Sequence, residues 1–398
     1  MEQPSSVVET GDFYKMTHPK MKDLLGLGNA FAYFESRQGA QFSSTLFFGM
    51  TYYISRLTGQ VVTRESVDRA YCEIKNAFGE NCGFPRDKWM YIVENHGGKL
   101  PVIIKSVPEG TLVPCGNVLF TVESTDENCG WLVGYLETFL SKVWYTSTVA
   151  TLSHEIKKII RAYTKITSDM SDEDIESIIK YKLHDFGARG VSSEESAMLG
   201  GLAHLVNFVG TDTLEVVNGH KFYNLPRGYA SSVPATEHSV MTAFGPDGEF
   251  SIVDQLIKCE EYKDKILSLV VDSYNVYKTV EHICKDLRDD VLSRTGKIVL
   301  RPDSGNPLEV IMKFFEIISE HIPPTINSKG FKVLDQHISV IYGDGLNLNS
   351  IDEILNHMVK NKWCASNITF GMGAGLLQKV TRDTQRCAYK VSACQKKA

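Results

Sequence analysis

The sequence predicts an α/β protein, an irregular (β/α) barrel preceded by an N-terminal α+β domain, and three observations predict it. Six short apolar runs between Tyr181 and Gly375 each finish in Gly, Asp or Ser, as buried strands do where they meet a polar loop. Helical periodicity follows most of them, and serial strand-helix units imply parallel strands joined by crossovers; six such units over this length favour a barrel over an open sheet. The stretch before Trp131 is organised differently, with turn-punctuated strands and separate helices. The expected divisions are 1–148 for the α+β domain, 149–390 for the barrel and 391–398 for a truncated or divergent tail.

In chain order, 29–36 (NAFAYFES), Val102–Ser106 (VIIKS) and 118–123 (VLFTVE) are predicted strands, the last two separated by turn signals at 108–110 and 114–117. Helical patterns fall at 45–57, at 65–78 with Thr63 as a cap, and at 86–95. From Trp131 a helix-rich bridge follows, with Val149, Leu152, Ile156 and Ile159 on one stripe and Lys157, Lys158 and Arg161 off it on a solvated face.

The six strand candidates are YKLHDFG, HLVNFVGTD, ILSLVVDS, IVLRPDSG, ISVIYGDG and NITFGMGAG, ending at Gly187, Asp212, Ser273, Gly305, Gly345 and Gly375. Ser192-x-x-Glu195 and Ser350-x-x-Glu353 match the capping-box pattern, and Asp272 or Ser273 is expected to cap a helix over 274–284. The sharpest unit is KIVLRPDSGNP, 297–307: a buried strand, a charged loop, then Asn306 as cap and Pro307 at the first helical position. Leu308, Ile311, Phe315 and Ile318 continue it at helical spacing.

Composition narrows the class of function. With 43% hydrophobic and 23% charged residues the chain is globular, and a net charge of −6 argues against a general nucleic-acid binder. No run is long and apolar enough to span a bilayer, and the N-terminal MEQPSSVVETGD lacks the basic-then-apolar order of a signal peptide, so a cytoplasmic protein away from membranes is expected. Nine cysteines without any C-x-x-C suggest reduced thiols, and the histidines and cysteines lack metal-ligand spacing, so no protein-held metal is expected.

A barrel gathers its strand-end loops on one face, so their side chains are read together. Arg189, Arg301 and Arg382 suit bidentate phosphate contacts. Gly187, Gly190, Gly343, Gly345, Gly371, Gly373 and Gly375 let backbone N–H groups approach a ligand. Asp212, Asp272, Asp303 and Asp344 are acceptors for hydroxyls or for hydrated Mg²⁺. Together these point to a phosphorylated sugar, while Phe186 at a strand end suits stacking on a flat ring and His238, in VPATEHS, stands in a loop facing the same mouth. Taken singly, Asp344 in GDG is an ordinary turn residue, His238 a structural histidine and Arg301 with Asp303 a surface pair. GMGAG is not a dinucleotide fingerprint, because the third glycine is missing.

The blocks DFYKMTH, KLHDFGARGVSS, AHLVNFVGTDT, SVPATEHS, RPDSGNPL, GDG and GLLQKVTRD, spread from Gly11 to Lys390, closely resemble the nicotinamide phosphoribosyltransferase family. That resemblance implies a type II phosphoribosyltransferase fold and a homodimer with active sites at the subunit interface. The implied reaction condenses nicotinamide with 5-phosphoribosyl 1-pyrophosphate to nicotinamide mononucleotide and pyrophosphate in NAD salvage, with Mg²⁺ on the pyrophosphate and ATP hydrolysed as a coupled substrate. It makes Phe186 one wall of a nicotinamide sandwich and Tyr14, supplied by the partner subunit together with Asp12, the other. Asp212 becomes the acceptor for the carboxamide N–H, a choice that also repels nicotinate. The resemblance assigns Arg189, Arg301, Arg382 and Lys390 to phosphate, and Ser232 and Ser268 to the ligand lining. It assigns Asp272, Asp303, Asp344, Gly343 and Gly373 to the ribose and phosphate region, and His238 as the histidine phosphorylated by ATP. The pyridine nitrogen already carries a lone pair, so Asp303 is expected to stabilise and position rather than to move a proton.

Two departures from the family pattern stand out. Ala374 stands between Gly373 and Gly375 where the family carries a further consecutive glycine, placing a methyl group where a phosphate is expected. Family members also continue well beyond Lys390, and the expectation is a shortened chain with an exposed sheet edge and a weakened anion site. The alternative functions are a non-catalytic or regulatory dimer partner and nicotinate phosphoribosyltransferase, the latter disfavoured by Asp212.

Overall fold

A computed structural model of the chain describes residues 6–397. The ends of the predicted first domain (1–5) and of the predicted tail (398) lie outside the described residues. The fold divides into two units, Met1–Thr151 with His220–Asn224 and Val380–Ala398, and Leu152–Gly219 with Leu225–Lys379.

The first unit is built on a four-stranded antiparallel sheet in which Leu27–Ser36 is flanked by Cys387–Lys396 on one side and by Val118–Ser124, then Val102–Ser106, on the other. Strand Leu27–Ser36 alternates half-buried and buried residues along its whole length, as a strand with one face on a core does. The predicted cap holds: Thr63 accepts from the Ser66 amide at the start of helix Arg64–Phe78. The pattern at 45–57 divides in two. Ser44–Leu46 pairs with Leu112–Pro114 as a short strand, and the helix begins only at Met50, after Gly49 at φ +104°. The C-terminal strand also changes the division expected from sequence. The sequence places 380–390 in the barrel and 391–398 in a tail, yet Cys387–Lys396 is one continuous strand whose partners are in the first unit. Long-range pairing of this kind leaves no local signature.

The second unit is the barrel. Its six parallel strands follow the order Gly210–Thr211, Leu183–Asp185, Ile368–Met372, Ile338–Tyr342, Ile298–Arg301, Leu267–Val270, and all six coincide with predicted runs. The strands are buried almost throughout, because helices cover a parallel sheet on its outer face and side chains fill its interior. The two edge strands are bridged by one segment. Ser231 donates to Val209 O (2.7 Å) and accepts from Thr211 N (3.0 Å), while Pro234 O accepts from Ser268 N (2.9 Å) and Thr236 N donates to Ser268 O (2.9 Å). A turn-rich stretch with no strand pattern thus joins the two edges of the curled sheet.

Helix starts follow sequence chemistry, some of them displaced by one to three residues. Asn306 caps Pro307–His321 as predicted, accepting from Leu308 N. Ser193, not Ser192, caps Glu194–His204, and Asn347 caps Leu348–Lys360 with Ser350 completing the box from the third helical position. Asn275 caps Val276–Lys285, which leaves Asp272 for other contacts. Val149, Leu152 and Ile156 are buried on helix Val143–Thr167 as expected, with Ile160 and not Ile159 completing the stripe, while Lys158 and Arg161 stay in solvent and pair with Glu155 and Glu176.

Candidate active site

The carboxyl ends of the six parallel strands carry Phe186, Asp212, Asp272, Asp303, Asp344 and Gly373, each within three residues of a strand end. This is where a barrel places its ligands, since loop length and composition are free there while the strands stay rigid.

The Phe186 ring is seated on glycine. A Cβ at Gly371 would overlap the ring, and one at Gly343 would stand 3.0 Å from Cε2, so both strands must be bare where the ring lies. The Phe186 amide donates to Met372 O at 3.0 Å, fixing the backbone beneath it. Ser232 Oγ donates to Asp212 Oδ1, and the Asp212 amide donates to Asp185 O at 2.9 Å. Sequence reading passed over Asp185. It is fully buried, and its carboxylate accepts from Gly187 N (2.7 Å), Thr213 Oγ1 (2.7 Å) and Thr211 Oγ1 (3.2 Å). Burial holds its carboxyl above the usual range against those three donors, and nearby Asp212 adds to the rise. The signal for it was present: the Asp in HDFG stands at an inward position of a buried strand, where a carboxylate needs donors.

On the other side of the mouth Asp272 is the organiser. One oxygen meets His238 Nε2 at 3.1 Å, and the other accepts from Asp303 N (3.0 Å) and Ser304 Oγ (2.5 Å). Tyr342 OH donates to Gly305 O at 2.9 Å, clipping the same loop to the next strand. Its phenol is raised by burial and by the surrounding negative charge of Asp344, Asp303 and Asp272. These three carboxylates follow three adjacent strands of the sheet. Arg301 is half-buried, and its Nη2 donates to Thr236 O at 3.0 Å, so part of this guanidinium is spent on the closing segment. Ser268 is buried in the edge strand it shares with that segment. Arg189 is exposed in the loop after Phe186.

Ala374 has a negative φ at the first position of helix Ala374–Leu377, so its methyl group demands no left-handed backbone. The methyl faces Gly190, where an added Cβ would come within 3.2 Å of it. Asp12, Tyr14, Arg382 and Lys390 belong to the first unit. Asp12 accepts from Thr138 Oγ1 at 2.5 Å, Tyr14 is 56% exposed with Lys15 Nζ 5.2 Å from its ring centre, and Arg382 and Lys390 are exposed.

Tertiary structure also assembles His96, Asp126 and Cys129, whose ligand atoms lie within 4.8 Å of one another. Asp126 Oδ2 is already shared by Tyr91 OH (3.0 Å) and His96 Nε2 (2.8 Å), and burial pushes the Cys129 thiol up to about 12. The group is a hydrogen-bonded turn anchor. All nine cysteines are unpaired, and among the described residues no helix is long and apolar enough to cross a membrane.

Comparison with known proteins decides the family. Residues 181–398 match the nicotinate phosphoribosyltransferase (NAPRTase) family model, and residues 6–104 match that of the nicotinamide phosphoribosyltransferase N-terminal domain. The chain is 42% identical to the nicotinamide phosphoribosyltransferase of Xanthomonas campestris pv. campestris over 96% of its own length and 80% of that protein. The chain belongs to the nicotinamide phosphoribosyltransferase family. A second relative of the same name, from Mycoplasma genitalium, is 35% identical over 75% of this chain and 66% of its own. Two solved structures share the fold. The nicotinate-nucleotide pyrophosphorylase of Pyrococcus furiosus superimposes with a TM-score of 0.60 at 13% identity, covering 99% of this chain and 78% of that one. Human nicotinic acid phosphoribosyltransferase gives 0.59 at 14% identity, covering 96% and 74%. The barrel is thus the type II phosphoribosyltransferase barrel.

Proposed function

We infer that the chain condenses nicotinamide with 5-phosphoribosyl 1-pyrophosphate, releasing nicotinamide mononucleotide and pyrophosphate, in NAD biosynthesis. The observation that carries this reading is the Phe186 ring seated on Gly343 and Gly371, one strand-end loop away from the Asp212 carboxylate. A flat ring needs an apolar face to stack on, and a carboxamide offers the N–H donor that Asp212 accepts. Nicotinate would bring a second carboxylate to the same place and is rejected by repulsion.

Chemistry then requires orientation more than proton transfer. Phe186, with Tyr14 of a second copy opposite it, holds the pyridine nitrogen toward C1 of the ribose; the C1–N bond forms as the C1–O bond to pyrophosphate breaks. Asp303 stabilises positive charge developing on the sugar, and Arg189, Arg301, Arg382 and Lys390 serve the phosphates. Mg²⁺ carried by the pyrophosphate supplies charge neutralisation on the leaving group. Asp303 and Asp344, oxygen donors on neighbouring strand-end loops, would hold that ion, Asp272 being engaged by His238 and the 303–304 loop. The coupled ATP reaction falls to His238. Asp272 accepts from Nε2–H, which leaves the lone pair on Nδ1 to attack the terminal phosphorus of ATP with ADP leaving. A cytoplasmic homodimer is part of the same proposal.

The test is direct. Purified chain is given nicotinamide or nicotinate, phosphoribosyl pyrophosphate and Mg²⁺, with and without ATP, and products are resolved by chromatography while size is measured by light scattering. Nicotinamide mononucleotide from a dimer is expected. A well-folded dimer without turnover would favour a regulatory partner, and faster use of nicotinate would reassign the substrate.

A further inference from the structure

We propose that Asp185 is a positioning residue of the base pocket, a clamp that sets the spacing between the Phe186 ring and the Asp212 acceptor. Phe186 and Asp212 sit on loops that follow two neighbouring strands, and nothing in either loop's own sequence fixes the gap between them. Asp185 is bonded to both. Its Oδ1 accepts from Gly187 N (2.7 Å), which holds the turn carrying Phe186. Its Oδ2 accepts from Thr211 Oγ1 (3.2 Å) and Thr213 Oγ1 (2.7 Å), the residues on either side of Asp212. Its main-chain oxygen accepts from Asp212 N (2.9 Å). Thr213 N donates in turn to Thr211 Oγ1 at 3.0 Å, so the Asp212 turn closes on itself around the same carboxylate.

The cost of this arrangement argues for its use. A carboxylate with no exposed surface is stabilising only when its donors are all in place, and an apolar residue would fill a buried strand end more cheaply. Here the three donors come from two loops, so the charge is satisfied only when both loops hold one geometry. Asp185 touches no substrate in this picture; it acts through Phe186 and Asp212, and the inference rests on the reading of those two residues as the base pocket.

Two variants and two readouts test it. Asp185→Asn keeps an acceptor for Gly187 N–H but loses a strong acceptor toward the hydroxyls, and Thr213→Val removes one donor while keeping the volume. Hydrogen exchange is followed without substrate in peptides covering 183–190 and 209–214, with Ile338–Tyr342 as reference. Both segments are expected to exchange about tenfold faster in Asp185→Asn and less so in Thr213→Val, the reference staying unchanged. In turnover, KM for nicotinamide is expected to rise about tenfold while KM for phosphoribosyl pyrophosphate stays within about twofold. Loosening of one segment alone, of neither, or an equal rise in both KM values overturns the clamp. If the parent chain makes no nicotinamide mononucleotide, the proposed function fails and the exchange arm still decides on Asp185. If Asp185→Asn does not fold, Thr213→Val decides alone.

Discussion

Asp272 Oδ1 lies 3.1 Å from His238 Nε2, and the Asp272 side chain is only 6% exposed where the histidine is 48% exposed. A nearly buried carboxylate thus orients a half-exposed imidazole, with its second oxygen holding the loop of Asp303 and Ser304. The histidine and the loop between Arg301 and Asn306 are therefore tied to one carboxylate. Asp272→Asn is expected to lower acid-labile phosphate on the protein after incubation with ATP by about tenfold or more, and His238→Ala to abolish it. Undiminished labelling of His238→Ala would remove His238 from the coupled reaction, and undiminished labelling of Asp272→Asn would remove its carboxylate partner from it.

The Asp303 side chain is exposed and its main-chain N–H, not its carboxylate, makes the structural bond. Asp303→Ala should accordingly fold with an unchanged thermal midpoint while kcat falls about a hundredfold, in the range of a lost electrostatic stabiliser. Normal turnover by the folded variant would reassign the residue.

Base choice depends on one charge. Asp212→Asn keeps a carboxamide in the place of the carboxylate and removes the repulsion of nicotinate. The ratio of kcat/KM for nicotinamide over nicotinate is expected to fall about tenfold. An unchanged ratio would place the discrimination elsewhere in the pocket.

The ring seat is equally exposed to test. Gly371→Ala forces its methyl group into Phe186, whereas Gly343→Ala meets the ring at 3.0 Å, a contact that a slight shift relieves. Gly371→Ala should raise KM for nicotinamide about tenfold and Gly343→Ala about twofold, since overpacking of a closed seat costs 1–3 kcal/mol. The reverse order would show that the ring lies differently.

Stability should fall with acid for a reason visible in the core. His204 is fully buried, its ring bonded to Ser153 Oγ (2.9 Å) and Gly210 O (3.1 Å), and burial holds it down to about 3. The unfolded chain takes up that proton near the ordinary value of 6.5 while the folded chain does not. Its contribution is therefore present above pH 6.5 and is lost as pH falls toward 3, by up to about 1.4 kcal/mol per pH unit within that window. Urea midpoints at pH 7, 6 and 5 should decline less steeply in His204→Gln than in the parent. Parallel slopes would mean that His204 is protonated in the folded state.

What was legible in the sequence had short-range causes. The strand Ile298–Arg301, its polar break and the Asn306 cap are neighbours along the chain, and caps act over three residues. Likewise Phe186, Asp212, Asp303 and Asp344 could be placed at strand ends because apolar runs stop where water or ligand begins. Thr45 illustrates the opposite case: its run looks helical, but pairing with Val113 draws it into a strand.

The amino-acid order alone determined the six barrel strands, the Thr63 and Asn306 caps and the family, because periodicity, caps and long motif blocks are properties of contiguous residues. Only the tertiary structure decided that Cys387–Lys396 pairs with Leu27–Ser36, that 231–236 joins the barrel edges, and that Asp185 and Asp272 each tie two loops together. Those are contacts between residues far apart in the chain. Hydrogen bonds of that range are chosen by the packed fold and not by the segments they join.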